Sequence, residues 1–285
     1  MKLNSPDPDI YVPDGCSFPG ALERTTHLCV GAHQDDQELM AYHGIAACYD
    51  SDDNWFSGVI VTNGGGSARV GAFADYSDEQ MMAVRKQEQR KAADIGRYAC
   101  QIQLGYPSSA VKNPSAEEVT LDLATILRTA RPECVYVHNP ADKHDTHVAV
   151  VARTIQAIRT LDPGDRPETV YGCELWRSLD WLCDSDKQVM EVDYRPELAA
   201  ELCAVFESQI SGGKRYDHAI VGRRRSNATF FESHEADKTE ALAWGMDLTP
   251  LARDPSLDIC EYTCDFIRRM SDDVVRRIRK CERSG

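Results

Sequence analysis

Short apolar runs alternate with amphipathic stretches along roughly the first 170 residues. His27–Ala32 (HLCVGA) and Trp55–Asn63 (WFSGVIVTN) each read as a buried strand ending in a loop, and the second runs into Gly64, Gly65 and Gly66. Cys134–His138 (CVYVH) reads as a third strand leading into Asn139 and Pro140, and Ile102–Leu104 as a weaker fourth. Between the strands lie helix signals. Ser77 with Gln80 forms a capping box that opens a helix to about Tyr98, and Ser115 with Glu118 forms another. That second helix places Val119, Leu123, Ile126 and Leu127 on one stripe. Thr146 is the expected cap of a third, along which Val148, Val151, Ile155 and Ile158 recur. Strands alternating with helices predict an α/β fold, Rossmann-like, with a mostly parallel sheet and helices on both faces. Beyond Gly172 the pattern weakens. Val189–Val192 and Ala219–Val221 are expected strands, and the last forty residues read as helical through Ile259, Phe266, Ile267, Val274, Val275 and Ile278. These additional C-terminal elements, about 171–285, are expected to complete the pocket of a single domain, 1–285, whose core spans about 24–170.

Composition narrows the class. With 42% hydrophobic and 27% charged residues the chain is an ordinary globular mixture. No window approaches ~18 uninterrupted apolar residues, so no membrane insertion is expected. The polar, proline-rich start MKLNSPDPDIYVPDG lacks a signal peptide's apolar core, and a cytoplasmic location is expected. A formal charge of −14 opposes nucleic acid and anionic membrane surfaces as partners. The runs Arg223–Arg225 and Arg268–Lys280 are expected to be solvated helix faces. The 11 cysteines include no C-x-x-C pair, and several sit in apolar runs; they read as reduced structural thiols.

The chemistry is concentrated just after two predicted strands, where parallel sheets bind ligands. The first segment, GAHQDDQELM, packs His33, Asp35 and Asp36 into four residues. His33 and Asp36, three apart across a strand-to-helix turn, could both reach one divalent ion, with Asp35 directed toward a bound water. Taken alone, the segment fits a metal corner and a capped helix start equally well. The second segment, VYVHNPADKHDTHVAV, contributes His138, His144 and His147 at a predicted helix N-terminus, whose dipole favours the neutral, metal-binding imidazole. Together the segments favour a metal, because two histidines and one carboxylate form a catalytic zinc set with open positions.

AHQDDQE resembles the A-H-P-D-D-x-E signature of the PIG-L / LmbE-like zinc de-N-acetylases, and HDTHVAV resembles their downstream H-P-D-H segment. Arg85 and Glu88 fit the family's R-x-x-E helix, and SHEADKTEALAWGMDLTPL is similar to the late region of longer bacterial members. The resemblance implies a hydrolase that removes an acyl group, acetyl in the family, from the amine of an amino sugar or glycoconjugate. It implies that His33, Asp36 and His147 hold one Zn2+ or another divalent ion, that Asp35 is the general base, and that His144 supplies a proton or stabilises the oxyanion. Arg85 is expected to contact the substrate, and a homo-oligomer is expected because several relatives form one. The chain departs from the pattern in places. Gln34 replaces the proline, and His144-Asp145-Thr146-His147 shifts the family's carboxylate by one position, so either Asp145 or Asp142 takes the orienting role. GYPSSAVKN, after Leu104, lacks an aspartate that some members use on the sugar.

Other candidates are less specific. Gly64–Gly66 with Ser67 and Arg69 matches neither nucleotide-binding glycine pattern and reads as a loop rimming the site. Asn63 is expected to face the pocket, and His234 to form a second wall of it. Trp176, Trp181 and Trp244 are aromatic platforms for which core packing is the expected use. His43 is expected on a helix near the core. The alternatives for the same cluster are a metal-dependent esterase or phosphatase, and a non-catalytic metal-dependent sugar-binding protein.

Overall fold

A computed structural model describes residues 1–282. Its elements run β1 (Asp9–Tyr11), β2 (His27–Gly31), α1 (Asp36–Met40), α2 (Tyr42–Cys48), β3 (Phe56–Thr62), α3 (Asp78–Gly96), β4 (Cys100–Tyr106), α4 (Glu117–Ala130) and β5 (Cys134–His138). They continue with α5 (Asp145–Arg159), β6 (Thr169–Cys173), β7 (Lys187–Glu191), α6 (Pro196–Ala204), α7 (Tyr216–Phe231), β8 (Leu242–Asp247) and α8 (Ile259–Glu282), with short helical turns between. The strands form one sheet in the order β1-β4-β3-β2-β5-β6-β8-β7. The central five, β4 to β6, are parallel, while β1, β8 and β7 each pair antiparallel with their neighbours.

This order places the site. The chain winds outward from β2 through β3 to β4, then returns to lay β5 on the other side of β2. The connections after β2 and β5 therefore leave in opposite directions and open a crevice at the strands' carboxyl ends. The strands read as apolar runs because both faces are covered. On β2, Leu28 and Val30 join the core beneath α4 and α5, with Val119, Leu123, Val151 and Ile155. Cys29 joins the opposite core, with Tyr42 and Ile45 of α2, Phe56, and Ala92 and Ala93 of α3.

β5 has the predicted bounds, β2 and β3 fall within their predicted runs, and β4 extends past its run on both sides. The Ser77 capping box forms: Gln80 N–H donates to Ser77 Oγ at 3.3 Å, and Ser77 N–H to Gln80 Oε1 at 2.8 Å. The other two predicted caps do not. Asn113 Oδ1 accepts the Ser115 N–H, and α4 begins at Glu117 without a side-chain cap. Thr146 lies inside α5, where His144 takes the capping position. Ala219–Val221, expected as a strand, is helical and part of α7. In α8, Phe266 is buried against the sheet's core, whereas Ile267, Val274, Val275 and Ile278 are exposed. Arg276 and Arg277 pair within the helix with Asp273, as a solvated face does, while Arg269 pairs with Asp265 and also reaches Asp186 just before β7.

Candidate active site

The turn after β2 is tight. Gly31 closes the strand where an added Cβ would come within 3.2 Å of the Asp36 Cβ, and Asp35 sits at φ 82°, in the left-handed region that disfavours a side chain. This backbone turns the two adjacent aspartates in different directions. Asp36 points back over the strand end, where its Oδ2 accepts the His33 N–H at 2.7 Å. Asp35 points toward α3, where Arg85 Nη2 donates to its Oδ2 at 2.9 Å. Glu38, the last acidic residue of the segment, faces inward and accepts from Tyr98 Oη and Gln89 Nε2, both at 2.8 Å, which anchors α1 to α3.

From the other side of the crevice α5 brings in His147. Asp36 Oδ2 lies 3.3 Å from His33 Nδ1 and 3.5 Å from His147 Nε2, and the two nitrogens are 3.2 Å apart. Ligands held at about 2.0–2.1 Å around a tetrahedral ion stand roughly 3.3–3.4 Å from one another, so one carboxylate and two imidazoles are spaced as a zinc-type ion requires. Two further groups of ligand-type side chains, His33 with His144 and His147, and Asp36 with His138 and His147, each share two members with that trio. His138 Nε2, however, accepts the Ala32 N–H at 3.0 Å, so its lone pair is already committed. His138 supports the cluster by stacking on His147, with ring centroids 3.8 Å apart.

Electrostatics follow from this packing. Burial works to raise the Asp36 carboxyl, but His147 and His138 outweigh it and hold it well below the usual carboxylate range. Burial pushes Asp35 up to about 7, against the pull of Arg85. His147 and His144 are both held below the ordinary histidine value, by burial first and then by neighbouring imidazoles, so both favour the neutral form that ligates. His147 Nδ1 lies 3.4 Å from Asp142 Oδ2, which directs Nε2 toward the cluster. Asp142 therefore occupies the orienting position. Asp145 is exposed on the first turn of α5 and has no part in it.

A polar cavity of about 340 Å³ opens over His33, Asp35, Asp36 and His144. That size suits a small ligand. The glycine loop rims it through Gly64, Gly66 and Ser67, and the C-terminal part contributes Trp176, Lys214 and Tyr216. Three expectations change here. Arg85 edges the cavity, but its guanidinium is spent on Asp35, the Gln34 carbonyl and Glu88, so it positions Asp35 rather than reaching for substrate. Asn63 faces away: its Oδ1 accepts the Gly65 N–H, and its side chain lines a separate depression beside Gln34 and Met82. His234 is exposed in the loop after α7 and lines no cavity among those at the carboxylates. Trp244 is core, as expected, and His43 sits on α2 with Nδ1 3.0 Å from Tyr136 Oη.

Sequence reasoning missed Tyr216, Lys214 and Lys112. Burial, and then the Asp35 and Asp36 carboxylates, push the Tyr216 phenol up, which marks its proximity to them. Lys112 follows β4, and position after a parallel strand was the signal that could have found it. For Tyr216 no comparable signal exists.

Residues 28–158 match the family described as PIG-L, GlcNAc-PI de-N-acetylase, and that span holds both histidine–aspartate segments. Solved structures extend the likeness to the fold beyond it. An N,N'-diacetylchitobiose deacetylase from Pyrococcus horikoshii is 17% identical, with 80% of this chain and 86% of that chain covered and a TM-score of 0.59. A deacetylase of the A40926 pseudoaglycone is 16% identical over 79% and 97%, with a TM-score of 0.58. A 4-carboxy-2-hydroxymuconate hydratase from Pseudomonas putida KT2440 is also 16% identical, over 78% and 95%, with a TM-score of 0.57. No curated protein matches the chain significantly. Because deacetylases and a hydratase share the fold, the chemistry of this protein has to be argued from its site.

Proposed function

We propose that the protein is a divalent-metal-dependent hydrolase that removes an acyl group, acetyl in its simplest form, from the amine of an amino sugar or glycoconjugate. The observation that carries this reading is the convergence of His33 Nδ1, Asp36 Oδ2 and His147 Nε2 to within 3.2–3.5 Å of one another, beside the unligated carboxylate of Asp35 and beneath an open polar cavity. In this reading those three side chains hold the ion, with zinc the best match to the donors and the spacing. When bound, the ion supplies Lewis acidity, polarising the amide carbonyl and making water acidic enough to lose a proton near neutral pH.

The chain's own groups do the rest. Asp35, raised to about 7 and aimed by Arg85, takes a proton from the attacking water and passes it to the departing nitrogen. His144 Nδ1 is buried without a partner, and the ring is kept neutral, so it serves as an N–H donor to the developing oxyanion. Asp142 fixes the tautomer of His147. In this reading Trp176 and Tyr216 form the wall against which the substrate lies, and the C-terminal part belongs to the same domain and pocket, a reading supported by their place in the cavity lining. The test is amine release from a panel of N-acylated amino sugars, O-acyl sugars and sugar phosphates by protein reconstituted with zinc. Release from amides alone is expected. Hydrolysis of only esters or phosphates would overturn the reading, and glycan binding without turnover of any class would make the protein a binding module.

A further inference from the structure

Two cavities leave the Asp35–Asp36 pair, and their linings differ. The polar one offers hydrogen-bonding partners such as Ser67, Lys112 and Lys214. The other, about 160 Å³, runs beneath α7 and is walled by Leu39, Leu175, Ala219 and Ile220, with Arg223 at its wall donating to the Leu175 carbonyl, and with Trp176 and Tyr216 edging both cavities. Leu39 and Leu175 are buried, so the inner wall belongs to the core, whereas Ala219 lies on the exposed side of α7.

Amide hydrolysis has two halves of unlike character. The carbonyl carbon gains the water oxygen as its bond to nitrogen breaks. The acyl half leaves as a carboxylate, and the amine half takes up a proton. The amine half of a sugar conjugate carries hydroxyls, which lose free energy when buried without partners and so belong in the polar cavity. The acyl half presents only C–H surface beyond its carbonyl. Resting on the deacylase reading above, we propose that the apolar cavity is an acyl pocket, and that the preferred acyl group is a chain of about four to eight carbons or an aromatic ring rather than acetyl. Size sets this range: an apolar cavity of about 150 Å³ is filled by a benzene molecule, and this one is about 160 Å³. An acetyl methyl leaves most of the lining without contact partners and forfeits their dispersion attraction.

The test uses the zinc-reconstituted full chain with N-acetyl-, N-butyryl-, N-hexanoyl- and N-benzoylglucosamine, reading amine release. N-hexanoyl is expected to exceed N-acetyl in kcat/KM by roughly tenfold or more, since filling an apolar pocket is worth at least that factor. Calorimetry on the metal-free protein should show the same order of binding, independent of turnover. Ala219→Trp, on an exposed helix face, should fill the cavity and collapse the hexanoyl-to-acetyl ratio, with an unchanged circular dichroism spectrum showing that the fold survives. If acetyl is turned over as fast as the longer acyl groups, or if Ala219→Trp leaves the ratio unmoved, the acyl pocket is overturned and the deacylase reading stands. If no amide releases amine while esters or phosphates are cleaved, both fall.

Discussion

The site has two walls, and they are fastened by different means. The wall formed after β2 and β5 is held by its own chemistry: Asp36 gathers His33, His138 and His147, Arg85 grips Asp35, and Asp142 backs His147. The opposite wall, α7 with Trp176, carries no such cluster. It is strapped to the sheet from behind, by Arg224 donating to the Leu39 carbonyl at 3.0 Å and by Asn227 donating to Glu174 Oε1 and the Leu242 carbonyl. On the proposed reading the first wall sets the reaction and the second the molecule presented to it, so the second can be altered without dismantling the first.

Substitutions on the first wall should therefore act on metal and turnover, and those on the second on substrate preference and stability. The largest effect is expected from His147→Ala, which removes one of the three proposed ligands; bound metal by elemental analysis and amine release should fall to background together. Asp35→Asn should retain the metal yet lose about 10²–10⁴-fold in kcat, the usual worth of a general base. Retained metal with retained turnover would remove Asp35 from the mechanism. Asp142→Asn is expected to weaken metal affinity or activity by about 10–100-fold, as loss of a ligand's orienting partner does, measured by competition with a chelator.

The pH profile follows from Asp35. Burial raises it to about 7, and a base works only when deprotonated, so kcat/KM should fall as pH drops through that value. A bound dication favours the carboxylate and sets the acid limb at or below that point. In Asp35→Asn the limb should disappear from the residual rate. The smallest effect belongs to the second wall. Asn227→Ala leaves the buried Glu174 carboxyl and the Leu242 carbonyl short of a donor and should cost about 1–3 kcal/mol of stability, seen in thermal unfolding, while bound metal stays at the wild-type level.

The same contrast explains what could be read from the sequence. β2 and β5 are apolar runs each followed at once by its functional residues, so contiguous stretches of chain encode both strand and chemistry. The turn that separates Asp35 from Asp36 is likewise local. α7 was misread because its buried face is polar: Arg224 and Asn227 lie inward with Ala228, held by hydrogen bonds rather than apolar contact, and the helix leaves almost no hydrophobic periodicity. Ala219–Val221 then stands out as a short apolar run and imitates a strand. Tyr216 and Lys214 were invisible for the same reason, since their approach to the carboxylates depends on where α7 docks. His234 and Asn63 illustrate the converse error, in which a residue type suited to a pocket and close in sequence to promising neighbours turns elsewhere. Of the two carboxylates the sequence offers for the orienting role, Asp142 reaches His147 and Asp145, exposed on the first turn of α5, does not.

The most direct test is the metal stoichiometry of chelator-treated protein re-equilibrated with zinc, measured per chain by elemental analysis. The account predicts one tightly bound ion in the wild-type protein, abolished by His147→Ala and preserved by Asp35→Asn. A wild-type chain that binds no ion, or a His147→Ala chain that still binds one, would contradict it.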